Sequence, residues 1–152
     1  MNRCVPTFIR VSSGQAGEVW LLQDVYETYR RIKNGTNELE VKQRTQLERF
    51  MREFCANIRP ALNDEQFKKE DSFKNKGGHN ATVFAFKPFK ARFYGVVTQI
   101  GNKKVFLGLK VDPAKRQDKA NRALLVSTAD AYFNLNPKEI EVRNEDEFDA
   151  AR

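Results

Sequence analysis

The chain has 152 residues, of which 40% are hydrophobic and 31% are charged, and its formal net charge is +7. This composition is typical of one soluble globular domain, and no apolar run approaches the ~18 residues of a membrane-spanning helix. Two cysteines without CxxC spacing and a single histidine argue against a zinc site. The segment MNRCVPTFIRVSSG also lacks the apolar centre of a secretory signal. We therefore expect a cytoplasmic protein with no metal, no other cofactor and no membrane partner.

The first part of the chain predicts one strand and two helices. TFIRV (7–11) is rich in β-branched and aromatic residues, which favours a short strand. A first helix is expected within 17–35, because apolar side chains recur there at helical spacing. A second helix begins with a capping box at Asn37 and Glu40 and carries an apolar stripe, which we expect to be buried against a sheet with Cys55 as a packing residue. The stripe consists of Leu47, Phe50, Met51, Phe54, Cys55 and Ile58.

The second part predicts three consecutive strands, because the hydrophobic period changes there from 3.6 to 2. These strands are 82–86, 90–100 and 103–111. The glycine–asparagine pair at 101–102 is a two-residue hairpin signal, and a tight turn there would place Gly95 opposite Gly108 and Arg92 beside Val111. Both faces of these strands are apolar at their centres, so we expect helices on each side of the sheet.

The C-terminal part predicts a turn at 112–113 that leads into a third helix within 120–135. Residues 137–152 contain six acidic and three basic side chains, so we expect an acidic, flexible tail there. The remaining residues, 1–136, are predicted to form a single α+β domain. Its expected order is β-α-α-β-β-β-α, with two N-terminal helices packed on a small, mainly antiparallel sheet of about four strands and a C-terminal helix.

Positive charge is concentrated in one segment of the chain. Residues 87–122 contain ten basic and two acidic side chains, a net charge of +8, so the rest of the chain sums to −1. A basic field of this kind favours a polyanion partner, nucleic acid above all, although small domains can also be basic without such a partner. The ten basic residues are Lys87, Lys90, Arg92, Lys103, Lys104, Lys110, Lys115, Arg116, Lys119 and Arg122.

Three consecutive motifs resemble one family. ARFYGVV (91–97), GNKKVFLGL (101–109) and DPAKRQDKANRALL (112–125) are similar to the late strands, hairpin and basic turn of the RelE/ParE superfamily of bacterial toxin–antitoxin toxins, including its HigB-like and phage-derived branches. The resemblance implies a RelE-like fold and a metal-independent endoribonuclease that cleaves messenger RNA, usually on the ribosome. It also implies a cognate antitoxin that holds the toxin inactive.

The resemblance and the chemistry of the side chains together nominate site residues. Arg92 matches the arginine on the family's central strand and would stabilise the phosphorane of the transition state. Arg116 matches a basic residue of the turn before the last helix, and Lys90 is a further candidate catalytic residue. His79, the single histidine, is the natural general base. Each charge is also compatible with ordinary solvated surface. The candidate RNA-binding residues are Lys87, Lys104, Lys110, Lys115, Lys119 and Arg122.

One departure from the family's pattern leaves alternatives open. Many RNA-cleaving members carry two alternating lysines on the strand before the arginine, and Val83 and Ala85 occupy those positions here. Lys87 and Lys90 lie nearby and could substitute across the bend at Pro88. Without such substitution, a non-cleaving basic protein of the same fold is favoured, either a ParE-like gyrase poison or a nucleic-acid-binding regulator. The third interpretation is a generic α+β interaction domain whose charge is incidental.

Overall fold

Seven strands form one mixed sheet in the computed structural model, which describes residues 5–59, 61–114, 121–136 and 139–151. The strands are β1 (Thr7–Ser13), β2 (Gly17–Leu22), β3 (Phe67–Lys74), β4 (Asn80–Phe86), β5 (Arg92–Ile100), β6 (Lys103–Asp112) and β7 (Glu141–Asn144). The helices are α1 (Gln23–Asn34), α2 (Glu38–Ala56), α3 (Arg122–Phe133) and α4 (Glu145–Ala150). Across the sheet the strand order is β3-β4-β5-β6-β2-β1-β7. The β2–β6 and β1–β7 pairs are parallel and the others are antiparallel.

The expected RelE-like architecture with about four strands is wrong. The described residues follow the order β-β-α-α-β-β-β-β-α-β-α, with seven strands instead of four. One of the additional strands, β2, occupies the segment that was assigned to the start of the first helix. Val19, Trp20 and Leu21 are all buried there, because β2 lies between β1 and β6 and is covered on both faces. Such a continuous apolar run is typical of a central strand, and periodicity alone cannot distinguish it from a buried helix.

The strand β3 lies at one edge of the sheet, although its polar sequence is typical of a connecting loop. Its sequence, FKKEDSFK, contains only two apolar side chains. A bulge between Lys69 and Asp71 changes the alternation, so that Phe67 packs with the cluster on one face and Phe73 with the cluster on the other. A lysine-rich, bulged strand is common at a sheet edge, where most side chains stay in water.

The acidic C-terminal segment is part of the fold, which differs from the flexible tail expected of it. The strand β7 pairs with β1 in parallel register. In α4, the Phe148 ring packs edge-on against the Tyr26 ring, with centroids 5.5 Å apart. The Tyr26 hydroxyl donates to the Asp149 carboxylate at 2.7 Å, and Lys33 Nζ donates to the Glu145 carboxylate at 2.9 Å. The acidic residues that suggest disorder therefore have specific partners on α1.

Helices cover both faces of the sheet, as the apolar strand centres predict. The pair α1 and α2 packs on one face and α3 on the other. The predicted stripe on α2 is buried from Leu47 to Cys55, and Cys55 is itself 1% exposed. Ile58 is 87% exposed because α2 ends at Ala56, before the stripe does. None of the described helices is long and apolar enough to cross a membrane.

The predicted β5–β6 hairpin is present, with one change in register. Gly95 lies opposite Gly108, as expected. A side chain at Gly95 would collide with the carbonyl oxygen of Leu107, so only glycine fits there. A bulge between Tyr94 and Gly95 then shifts the pairing by one residue. Arg92 consequently lies beside Asp112 and not beside Val111, which brings an acidic group next to the predicted catalytic arginine.

Candidate nucleic-acid interface

A row of four residues at one end of the sheet begins and ends with a lysine and contains a buried tyrosine. Strand pairing places Lys68, Ala85, Tyr94 and Lys110 in one row across β3, β4, β5 and β6. Directly paired residues share a face of the sheet, and Ala85 and Tyr94 belong to the cluster beneath α3. The row therefore lies on the α3 face. We call this end of the sheet, where β4 and β6 end and β5 begins, the basic end.

A second row lies two residues further along the same strands, where the strands leave the sheet. Arg92 pairs with Asp112, and Lys87 directly follows β4. Partial burial lowers the pKa of Lys87, and the positive charges of Arg92 and Lys68 lower it further. Lys87 Nζ also donates to the carbonyl oxygen of Asp64 at 3.0 Å. Lys87 is thus close enough to Arg92 and Lys68 to be repelled by both. The Glu70 carboxylate offsets part of this repulsion, and a bound anion would offset more of it.

The Arg92 guanidinium is held by the loop that connects β4 to β5, residues 87–91. Its Nη1 donates to the carbonyl oxygen of Ala91 at 2.7 Å and approaches that of Pro88 at 3.4 Å. Arg92 is half-buried, so its position is fixed better than that of a surface arginine. A planar guanidinium in a fixed position suits phosphate, whose oxygens it can bind in pairs.

The same loop is fixed from the other face by two glutamines of α2. Gln43 Nε2 donates to the carbonyl oxygen of Phe89 at 2.9 Å, and the Phe89 N–H donates to Gln46 Oε1 at 2.8 Å. The ammonium groups of Lys42 and Lys90 lie 3.8 Å and 5.2 Å from the centre of the Phe89 ring. None of the residues Lys42, Gln43, Gln46 and Phe89 was nominated from the sequence. The available signal was Gln43, a polar residue at the helical spacing of the apolar stripe and only 2% exposed.

The start of α3 lies over the same region of the sheet. Asn121 caps the helix, with its Oδ1 accepting from the N–H groups of Ala123 and Leu124. Arg122 forms an ion pair with Asp71, and its guanidinium lies 4.9 Å from the centre of the Phe73 ring. Arg122 therefore ties α3 to β3, in addition to the RNA-binding role predicted for it. Burial raises the pKa of Tyr94, beneath this helix start, to about 12.

Two nominated residues lie at the opposite end of the sheet. His79 precedes β4 and is separated from Lys87 by the length of that strand, roughly 25 Å at the rise of an extended chain. Lys104 lies near the start of β6, with its ammonium 4.2 Å from the centre of the Phe54 ring, and burial lowers its pKa. His79 and Arg92 therefore cannot contact one phosphate.

A cavity of about 570 Å³ occupies this opposite end, which we call the cavity end. Its walls come mainly from the β3–β4 turn, the end of β5, and the C-terminal part of α3 with the segment that follows it. His79 is one of the polar wall residues. Tyr132 is one of the wall residues, and its ring lies against that of Phe133, with the ring centroids 6.2 Å apart. The apolar and aromatic wall residues are Ile100, Leu107, Tyr132, Phe133, Leu135 and Ile140.

The structure thus brings together Lys87, Lys90, Arg92 and Lys110 of the nominated residues, and leaves His79 and Lys104 apart. Lys115, Arg116 and Lys119 lie outside the described residues. Within the described ranges, no group of three histidine, cysteine or acidic side chains could hold a metal ion. Comparisons of the chain with protein-family models, curated proteins and solved structures found no match. A functional assignment therefore depends on the geometry of the basic end itself.

Proposed function

We propose that the protein binds RNA at the basic end of the sheet. The observation that carries this proposal is the placement of Arg92 and Lys68 beside Lys87. Partial burial is the main cause that lowers the pKa of Lys87, and these two positive charges lower it further, while the Glu70 carboxylate acts in the opposite direction. Cations are held together against their repulsion more readily where an anion joins them. Lys110 extends the same row. A phosphate backbone that crosses the end of the sheet would meet these side chains in succession.

The charge of the surrounding segment supports a polyanion over a single small anion. Residues 87–122 have a net charge of +8, and this segment includes three of the four cations of the two rows. Two further cations of the segment, Lys103 and Lys104, lie at the cavity end. Neutralised phosphates release counterions, which makes binding to a polyanion strong at low salt and weak at high salt. Arg92 supplies the planar group that grips individual phosphates.

Salt-dependent binding tests the proposal. We expect affinity for a fluorescent 2′-O-methyl oligoribonucleotide, which resists cleavage, to fall steeply between about 50 and 200 mM salt. Arg92→Ala should lower both the affinity and the steepness. Lys103→Ala is the matched control, because it removes one cation from β6 at the cavity end. Equal loss in both variants, or affinity that does not change with salt, would contradict a site at the basic end.

A second candidate function is RNA cleavage of the toxin type, and the lowered pKa of Lys87 favours it. A lowered pKa shifts Lys87 toward its neutral form, and a neutral lysine can accept the proton of a ribose 2′-hydroxyl. The 2′-oxygen would then attack the neighbouring phosphorus while Arg92 stabilises the charge that develops. The bond from phosphorus to the 5′-oxygen of the next nucleotide would break, and that oxygen would leave with a proton from water. In this form the protein is the toxin of a toxin–antitoxin pair, with messenger RNA, the ribosome and a cognate antitoxin as its partners.

Cleavage is tested with unmodified RNA and with bacteria that express the chain. We expect products that end in a 2′,3′-cyclic phosphate, together with growth arrest, and both should be lost in Arg92→Ala. Lys87→Arg keeps the positive charge and removes the proton acceptor, so it should bind RNA without cleaving it. If wild-type protein binds RNA tightly, leaves it intact and does not arrest growth, the non-cleaving alternative stands.

A further inference from the structure

We propose that Phe89 is a stacking platform for an unpaired base, so that the basic end takes single-stranded nucleic acid in preference to duplex. This inference rests on the proposed RNA-binding function and narrows its substrate class. Every base has a face that can stack on an aromatic ring, and proteins that bind single strands use such rings beside a basic groove. Phe89 lies in the middle of the 87–91 loop and is partly exposed.

The Phe89 backbone is held by two hydrogen bonds, which fixes the position from which the ring projects. Its carbonyl oxygen accepts from Gln43 and its N–H donates to Gln46, at 2.9 Å and 2.8 Å. The loop is further closed by a hydrogen bond from the Ala91 N–H to the Pro88 carbonyl oxygen, at 3.1 Å. A platform that is already in position loses little conformational entropy when a base stacks on it.

Lys90 gives a second indication that this loop is built for a ligand. Its φ angle is 54°, in the left-handed region that residues other than glycine rarely adopt. Such conformations persist where the surrounding structure imposes them, and they are frequent at binding sites. Here the turn keeps the Lys90 ammonium 5.2 Å from the Phe89 ring centre, and Lys42 of α2 approaches the ring to 3.8 Å.

These two lysines can leave the Phe89 ring and bind phosphate groups instead. A lysine near an aromatic ring at an exposed site is held only weakly. When a base takes its place, each ammonium can move to the phosphates on either side of the stacked nucleotide. The ring would then contact the base while the flanking cations contact the backbone, which is the usual division of roles in single-strand recognition.

The loop also joins the platform to the phosphate-binding rows. Phe89 is held by α2 on one face of the sheet, whereas Lys87 and Arg92 flank the same loop and belong to the row on the other face. A single strand that passes over the end of the sheet can therefore stack on Phe89 and place its next phosphates at Arg92. A duplex cannot do this, because its bases are already paired and stacked within the helix.

Fluorescence anisotropy with three probes tests the inference: a single-stranded 2′-O-methyl RNA, a single-stranded DNA and an RNA duplex of the same length. We expect wild-type protein to bind both single strands more tightly than the duplex. A higher affinity for the RNA strand than for the DNA strand would indicate contacts to the 2′-oxygen of the ribose. Phe89→Ala and Phe89→Leu should weaken single-strand binding roughly tenfold and leave duplex binding unchanged. Phe89→Tyr, which keeps the aromatic face, should bind like wild type.

Phe89→Leu is the matched control for packing, because it keeps an apolar side chain without a π face, and thermal unfolding of each variant monitors the fold. A single strand that contains 5-iodouridine should crosslink to Phe89 in wild-type protein, which tests the contact even if a variant does not fold. Equal affinity of wild-type protein for single strands and duplex, or full single-strand binding by Phe89→Leu, would overturn the inference and leave the proposed RNA binding intact. Binding to none of the probes would overturn both.

Discussion

The two ends of the central sheet differ in chemistry although the same strands form them. At the basic end, β4, β5 and β6 present Lys87, Arg92 and Lys110, and polar side chains hold the connecting loop. At the cavity end, β5 and β6 instead line an apolar space with α3. We infer that the proposed ligand binding and the stability of the fold are divided between the ends of the sheet. Substitutions at one end should therefore change one property and not the other.

The largest expected effect is on stability at the cavity end. Leu107 is 3% exposed and lines the cavity, so Leu107→Ala should lower the free energy of unfolding by about 2–5 kcal/mol. RNA affinity should change much less, because Leu107→Ala removes no charge and the Leu107 side chain lines the cavity, about 10 Å along β6 from Lys110. Chemical denaturation and anisotropy on the same preparation measure the two quantities. A folded variant that loses RNA binding would show that the two ends are coupled.

The second-largest expected effect is on RNA affinity, from charge reversal at either end of β3. The variant Lys68→Glu places a negative charge in the row that contains Lys110, and we expect RNA affinity to fall roughly tenfold. The matched control Lys74→Glu changes the same charge at the cavity end of the same strand. Similar losses in both variants would indicate a response to total charge and no defined site.

The glutamines of α2 should have a smaller effect that is confined to the loop. Gln43→Ala removes the donor to the Phe89 carbonyl oxygen, and a lost hydrogen bond of this kind costs about 1 kcal/mol of stability. Because the loop would then be less ordered, RNA affinity should also decrease. Hydrogen exchange at the Phe89 and Ala91 amides would report the loosening. Thr45→Ala, on the exposed side of α2, is a suitable control.

The smallest expected effect is a difference in pH dependence. Lys87 has a folded pKa below its ordinary value of 10.5, so it loses its charge, and with it RNA affinity, as the pH rises toward 10.5. The unfolded chain binds more protons in that range, so the same titration increases stability with pH. Affinity and stability should therefore move in opposite directions. Lys87→Arg stays charged and should lose the alkaline decline in affinity. A decline that persists in this variant would exclude Lys87 as its cause.

Periodicity predicted α1, α2, α3 and the β4–β6 strands but could not reveal elements that depend on distant contacts, such as β7 and α4. The strand β7 forms only because β1 offers a free edge, and its acidic neighbours find Lys33 on α1. The basic end was predicted in part, since Lys87 and Arg92 are close in sequence. The Phe89 platform was missed because the loop and its glutamines lie more than forty residues apart.

The misplaced histidine follows from the direction of the strands. His79 precedes β4 and Arg92 begins β5. In an antiparallel pair the starts of two consecutive strands lie at opposite ends, so these residues are separated as soon as both strands are recognised. His79 and Arg92 are close in sequence and have suitable side chains for one site, but the topology places them at opposite ends of the sheet. Strand polarity was thus available from the sequence and should have excluded the pairing of His79 with Arg92.

The pairing of β1 with β7 has a consequence for the folding pathway. Thr7 lies beside Glu141, so this seam of the sheet closes a loop that includes most of the chain. Contacts between such distant residues slow folding, because the entropy of closing the loop is lost before the contacts can compensate for it. We expect the local β3–β6 meander to form early and the β1–β7 seam to form late. During synthesis, the edge of β1 that pairs with β7 would stay unpaired until β7 emerges from the ribosome.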